Sequence, residues 1–431
     1  MKALNRQCES NRLRSLSRCH KKWLTHLLAS FLLFACAADS YADRPQVMRA
    51  RVIKQLQEIQ TLFEQEQYAQ VLAATTRLKD TDLPEYELWQ VLTIEAYTHI
   101  NLAANTAAIA ILRQILTYDG LPQELRQNTL NTLVQLYMME EQHSLALATA
   151  DELIAVALAP EPGHAIFKGQ ALYYLERHEQ ALAEIDRALT LARDKSLPLL
   201  EPWLLLKNAA LFELDRVADM IEVMRLLLTL YPKDRYITNL SALYSQLDMP
   251  EKQLTLLEPL YEQGGLSQAY HLISLASLYM ALGTPYKAGK VLQQSLEEGR
   301  IEADFDNLDL LGKAWQLADE RARAIDAYNA AAELSEGGDI LVRIAHLHIA
   351  AGDWRRAEAS LDRAFAKGDL SEPGNAHILR GMARFSQKKL PAARRAFIQA
   401  AKFSEAQLHA EQWLGYVDAE IKSRRSLPAV L

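Results

Sequence analysis

Cysteine is nearly missing from this chain of 431 residues: only Cys8, Cys19 and Cys36 occur. Everything after Cys36 is built without disulfides and without a thiol for nucleophilic or metal chemistry. Glycine is also sparse, with 16 residues and no phosphate-cradling loop; the adjacent pairs Gly264–Gly265 and Gly337–Gly338 sit where helices are expected to stop. The G-x-S-x-G, H-E-x-x-H and calcium-loop patterns are absent. No stretch alternates with the two-residue period of a strand. After residue 38 no apolar run is long enough for a bilayer span. These absences point to an all-α, non-enzymatic chain for which no metal and no cofactor is expected.

What is present begins with the N-terminus. Residues 1–22 carry seven basic side chains, an apolar run follows over 23–38, and Ser40-Tyr41-Ala42 supplies a small-x-small site. This reads as a signal peptide over residues 1–42, cleaved after Ala42, and places the protein in the periplasm. Leu33-Phe34-Ala35-Cys36 loosely resembles a bacterial lipoprotein box, so a lipid anchor on Cys36 is the competing expectation.

The dominant feature is a repeat. Ten predicted helical hairpins carry a marker near the start of their second helix: Val71, Ala108, Ala146, Ala181, Met220, Gln253, Ala288, Ala324, Ala357 and Ala393. The spacings are 33 to 39 residues, and seven markers are alanine. Residues 308–334 and 341–365 show the pattern most clearly. A large apolar residue precedes a small one (Leu311-Gly312, Ile344-Ala345), a ring follows (Trp315, His348), and after a short turn the second helix places Ala324, Tyr328, Ala331 or Ala357, Leu361, Ala364 on one face. Small residues let antiparallel helices approach while large ones fill the adjoining holes. Prolines fall between hairpins or in their turns, except Pro259, where a kink in a second helix is expected.

On these residues the chain resembles the tetratricopeptide repeat (TPR) family. The resemblance implies an all-α superhelical solenoid of about ten hairpins over residues 43–403, repeats lying roughly at 48–80, 88–119, 125–158, 163–195, 201–233, 234–266, 269–299, 305–336, 339–368 and 374–403. A C-terminal capping helix over 405–423 and a tail over 424–431 follow. Stacked arrays of this kind bury their core against neighbouring repeats and present long surfaces to protein partners. Met220 and Gln253 depart from the small-residue marker, and looser packing is expected there.

In such arrays the first helices line the inner wall. Three positions around the small residue of each first helix form a stripe there, and many are apolar. The candidate partner-binding groove comprises Tyr97, Met138, Ile166, Tyr173, Leu205 and Phe212 in the first half. It continues with Ile273, Met280, Ile349, Met382 and Phe385 in the second. Tight winding of the array would bury the same side chains, so both readings stay open. His346 and His348 are spaced two apart, which makes them poor joint ligands, and His348 is expected in the core. Asp304, Asp306 and Asp309 read as helix-start carboxylates.

Charge is uneven. The whole chain has formal charge −7, yet residues 341–431 hold 15 Lys and Arg against 9 Asp and Glu, a net +6. Without residues 1–42 the formal charge is −12, so residues 43–340 carry −18. Arg355, Arg356, Lys388, Lys389, Arg394 and Arg395 form a candidate basic end for an acidic partner or an anionic membrane surface. Nucleic acid is not expected as a partner of an acidic exported chain.

Two stretches, residues 231–266 and 285–315, are more specifically similar to the periplasmic TPR proteins encoded with TonB, ExbB and ExbD. That resemblance implies an accessory of proton-motive-force-driven outer-membrane uptake, such as iron–siderophore transport, with TonB/ExbB/ExbD-type components as partners. An envelope-biogenesis scaffold for polysaccharide export or cell-wall machinery, and a periplasmic TPR chaperone, are the alternatives.

Overall fold

The computed structural model describes residues 48–426, in which 21 α-helices and no strands are found. The expected signal peptide, Ala42 and Cys36 lie outside the described residues. Twenty helices pair into ten tandem hairpins: α1 (Ala50–Glu64) with α2 (Tyr68–Lys79), α3 (Glu85–Asn101) with α4 (Asn105–Ile115), α5 (Gln123–Met139) with α6 (His143–Val156), α7 (Pro162–Tyr174) with α8 (His178–Asp194) and α9 (Glu201–Glu213) with α10 (Val217–Leu230). There follow α11 (Asp234–Gln246) with α12 (Pro250–Glu262), α13 (Ala269–Ala281) with α14 (Pro285–Glu297), α15 (Phe305–Leu317) with α16 (Arg321–Leu334), α17 (Asp339–Ala350) with α18 (Trp354–Lys367) and α19 (Pro373–Ser386) with α20 (Leu390–Ala400). Helix α21 (Gln407–Ser426) closes the series. The chain is thus the all-α hairpin array that its repeat implies.

All ten marker residues are buried, Met220 and Gln253 included. The glycines show why small residues are needed opposite large ones. A Cβ at Gly312 would lie 2.4 Å from the ring of Tyr328, one at Gly381 would lie 2.4 Å from Phe397, and one at Gly289 would lie 2.7 Å from Trp315. The helices approach as closely as those rings allow.

One turn is used ten times. In every hairpin a backbone N–H reaches back five residues to the first helix, from Gln67 to Leu62 at the first turn to Lys389 to Arg384 at the last, at 2.8–3.0 Å. The preceding residue is left-handed each time: Glu66, Ala103, Glu141, Glu176, Asp215, Asp248, Gly283, Asp319, Gly352 and Lys388. This is the Schellman closure, in which carbonyls orphaned by the helix end are satisfied by the turn. Only two of the ten positions are glycine, so eight turns hold an L-residue in its less favoured basin.

A polar joint recurs between hairpins. The residue five positions after the marker contacts the next first helix in six cases. Arg113 donates to Tyr137 (3.1 Å), Lys168 meets Asp151 (2.9 Å) and Lys207 meets Asp186 (2.6 Å). Arg225 donates to Tyr244 (2.7 Å), Tyr279 to Glu258 (2.8 Å) and Arg380 to Asp362 (3.2 Å). Each is partly exposed and contributes up to about 1 kcal/mol, so these joints set register more than stability.

The chain divides into two compact units, residues 48–223 and 224–426, with the division inside α10. It therefore falls in the repeat whose marker is Met220, one of the irregular copies. In unit 1 successive first helices touch one another (α1 with α3, α5 with α7, α7 with α9), as do α17 and α19 in unit 2. Helix α12 continues through Pro259 to Glu262, so the proline does not end the helix.

Candidate functional site

In unit 1 the expected stripe lies on α3, α5, α7 and α9, and none of its members is fully exposed. Ile166 is buried, while Tyr97, Met138, Tyr173, Leu205 and Phe212 are half-buried. The Tyr97 hydroxyl lies 3.5 Å from that of Thr132 on α5, and burial raises its pKa above the ordinary phenol value. Tyr173 packs edge-on against Tyr174 and His178, with ring centroids 5.6 and 5.3 Å away. These apolar side chains are sheltered by packing without all being sealed from solvent.

Between them stand three amides. Asn131 and Gln135 on α5 and Gln170 on α7 occupy the same stripe and are half-buried. The Asn131 Oδ1 atom is buried with no hydrogen-bond partner. A buried carbonyl oxygen left unpaired costs about 1–3 kcal/mol, so Asn131 holds bonding capacity that the fold does not use. Primary amides both donate and accept, which matches the backbone of an extended peptide. The stripe spacing includes these residues, but the candidate groove drawn from the sequence kept only the apolar members. Their signal in the sequence was a run of amides at stripe spacing.

In unit 2 the same positions are more open. Ile273 and Met280 pack against the core of hairpins six to nine, Ile349 and Met382 against that around Leu361 and Ala376, and Phe385 lies edge-on to Trp413 at 5.8 Å. All five are half-buried. Ala242, Ser245, Ser277, Lys313, Gln316 and His346 are exposed. Asp309 is buried and holds two cations, Lys313 and Arg343, each at 2.6 Å. It is therefore an ion-pair centre linking α15 and α17, whereas Asp304 does cap α15 by accepting from the Asn307 N–H at 2.8 Å. His346 reaches solvent, yet desolvation lowers its pKa, as expected for a side chain crowded by protein on several sides. His348 is half-buried rather than fully in the core.

The basic residues gather at the start of α18 and around the α19–α20 turn. Glu358 organises them: it accepts from Arg384 Nε (2.7 Å), Lys389 Nζ (2.7 Å) and Gln387 Nε2 (2.9 Å). Desolvation alone would raise its pKa, but those donors outweigh it and hold the carboxyl at about 2. Gln387 also donates to the Trp354 carbonyl at 3.0 Å, which draws the α19–α20 turn onto the first turn of α18. Lys388 and Lys389 thereby come beside Arg355 and Arg356. Arg356 meets Asp353 at 3.4 Å, and Arg394 pairs with Asp418 on α21 at 2.7 Å. Arg355, Lys388 and Arg395 are exposed and form no side-chain hydrogen bond or ion pair among the described residues. Close by, His377 stacks on Phe365 at 4.2 Å and lies 3.1 Å from Arg380. Burial first, then the neighbouring arginines, lowers its pKa to about 4.

Among the described residues no group of three His, Cys, Asp or Glu side chains is placed to hold a metal ion. No described helix is long and apolar enough to cross a membrane.

No protein-family model matches the chain, and no curated protein matches it. Solved structures that resemble it do so loosely. A crystal structure of MamA is 17% identical with TM-score 0.33, over 46% of this chain and 98% of that one. A tetratricopeptide repeat protein from Parabacteroides merdae is 17% identical with TM-score 0.32, over 59% and 98%. The yeast Sti1 TPR2AB domain in complex with pHSP90 is 17% identical with TM-score 0.36, over 62% and 98%. Superpositions this loose carry no argument; the fold rests on the hairpins themselves and the function on the site.

Proposed function

We propose that this protein is a non-enzymatic scaffold that captures an extended segment of a partner protein along the first-helix face of unit 1. The observation that carries this reading is the row of amides, Asn131, Gln135 and Gln170, lying unspent among half-buried apolar side chains. Amides bond the backbone of a docked strand, and Tyr97, Met138 and Tyr173 offer apolar anchors beside them. Charged replacements at Tyr173 or Phe212 would disturb packing as well as binding, so the surface test belongs to the amides. The Gln135→Lys, Gln170→Lys double variant is expected to fold normally by circular dichroism and lose at least about tenfold in partner affinity, or about 1.4 kcal/mol. Unchanged affinity overturns the groove.

The finer reading is an accessory of a TonB–ExbB–ExbD-type system in the periplasm, supporting proton-motive-force-driven uptake such as iron–siderophore transport. Its support is the sequence resemblance of residues 231–266 and 285–315 together with the signal-like N-terminus. In-cell cross-linking followed by mass spectrometry is expected to recover TonB-, ExbB- or ExbD-type proteins. Recovery of polysaccharide-export or cell-wall proteins alone would reassign the scaffold to envelope biogenesis, and a broad spectrum of unfolded clients would make it a chaperone.

A further inference from the structure

The ten turns share one structural position but not one charge: Asp248 and Asp319 keep it acidic in the sixth and eighth turns of unit 2, and only the last two turns are basic. In unit 1 the third turn exposes Glu140 and Glu141, and the fourth and fifth expose Glu176 and Asp215 beside Arg177 and Arg216, whose guanidinium groups turn to Gln180 and Asp219. The third and fourth are neighbours, because the His143 ring stacks on Tyr174 at 4.7 Å with an interplanar angle of 11°. Glu141, Glu176 and Asp215 make no side-chain hydrogen bond or ion pair among the described residues, although each sits on a left-handed turn residue. In unit 2 the ninth and tenth turns expose Arg355, Arg356, Lys388 and Lys389 instead, with Arg355 and Lys388 unpaired. Arg355 and Arg356 stand in the first turn of α18, where the helix dipole disfavours cations. Among the described residues Arg355 has no ion-pair partner to offset that placement.

We propose that the acidic turn edge of unit 1 in one copy docks on the basic turn edge of unit 2 in a second copy. Lys388 occupies the same left-handed turn position as Glu141, Glu176 and Asp215 with opposite sign, while Arg355 and Arg356 stand just beyond Gly352 on the helix that follows. Acid–base pairing of this kind already holds hairpins together within the chain, at Lys207–Asp186 and Arg380–Asp362. The net negative charge of the chain opposes association, but at 0.1 M salt the screening length is about 10 Å. Distant charges are then muted while facing edges still attract. The contact is heterologous, so it permits growth beyond a dimer unless the geometry closes.

Sedimentation velocity on the full chain, as purified from its producing cell, tests this. At about 0.1 M salt the weight-average sedimentation coefficient is expected to rise with concentration, and at about 1 M salt to settle at the monomer value. The Arg355→Glu, Arg356→Glu, Lys388→Glu variant is expected to lose that concentration dependence. So is the Glu140→Lys, Glu141→Lys, Glu176→Lys variant. These positions are exposed, and circular dichroism confirms folding of each. An equimolar mixture of the two variants restores complementary edges and is expected to associate again. A wild-type chain that stays monomeric at about 0.1 M salt overturns the proposal, and so does a mixture that stays monomeric. Monomeric protein that co-floats with phosphatidylglycerol vesicles would give the basic edge to lipid and also overturn it.

Discussion

Units 1 and 2 repeat one backbone and put different chemistry on it. In unit 1 the first-helix face is sheltered, apolar and studded with amides, and the third turn is acidic, with Glu140 and Glu141 exposed. In unit 2 that face opens onto Lys313, Arg343 and His346, and the last turns are basic. The packing differs too. Unit 2 interlocks three glycines with rings, at Gly289–Trp315, Gly312–Tyr328 and Gly381–Phe397, whereas Gly169 in unit 1 faces the Ile185 Cγ1 atom at 2.9 Å and the Ala181 carbonyl oxygen at 3.3 Å. The shared parts, markers and turns, hold the hairpins. The parts that differ lie where a partner can touch.

The largest effect should come from the interlocks. Gly312→Ala with Gly381→Ala is expected to destabilise the protein by about 3 kcal/mol in urea unfolding, because overpacking at each ring exceeds the helix-propensity gain of about 1 kcal/mol. Gly169→Ala should cost less, about 1 kcal/mol, since a single Ile185 methylene rather than a ring must give way. Equal losses at all three would erase this difference between the units.

Acid should act next, through unit 2. His377 is held neutral with a pKa of about 4, below the ordinary 6.5. Its contribution is complete above pH 6.5 and is lost as pH falls through about 4, up to about 2 kcal/mol after allowing for partial exposure. Glu358 extends the loss toward pH 2 as its carboxylate is protonated and releases Arg384 and Lys389. In thermal melts His377→Gln should flatten the dependence between pH 6.5 and 4, and an unchanged slope would place the titration elsewhere.

A joint in unit 1 should weigh less. Arg113 bonds Tyr137, Glu152 and Thr149 at 3.1, 3.0 and 2.6 Å. Arg113→Met is expected to cost about 1 kcal/mol, and no loss would mean that the joint sets register alone. The smallest effects belong to the turns. Glu141→Gly should stabilise by about 0.5–1 kcal/mol by relieving the left-handed residue, while Gly352→Ala should cost a similar amount.

Much of this was legible in the sequence because hairpin packing is local. Small residues recurring every 33 to 39 positions can only be spaces for large ones, and the buried markers and ring interlocks follow. The turns were not legible, since glycine is the usual sign of a left-handed residue and here Glu, Asp, Ala and Lys fill eight of ten. Asp309 was misread because a carboxylate near a helix start looks like a cap until Arg343, 34 residues on, is seen to meet it. The openness of the stripe also lay beyond sequence, since it depends on how neighbouring first helices crowd one another. Unit 1 leaves no stripe position fully exposed, whereas unit 2 half-buries its large apolar members and exposes most of its small and polar ones.

Hydrogen–deuterium exchange of the full chain, with and without the partner recovered by cross-linking, tests the central claim most directly. Protection is expected to concentrate in α5 and α7, where Asn131, Gln135 and Gln170 would meet the partner's backbone. Protection confined to α15–α19, with α5 and α7 unchanged, would contradict it.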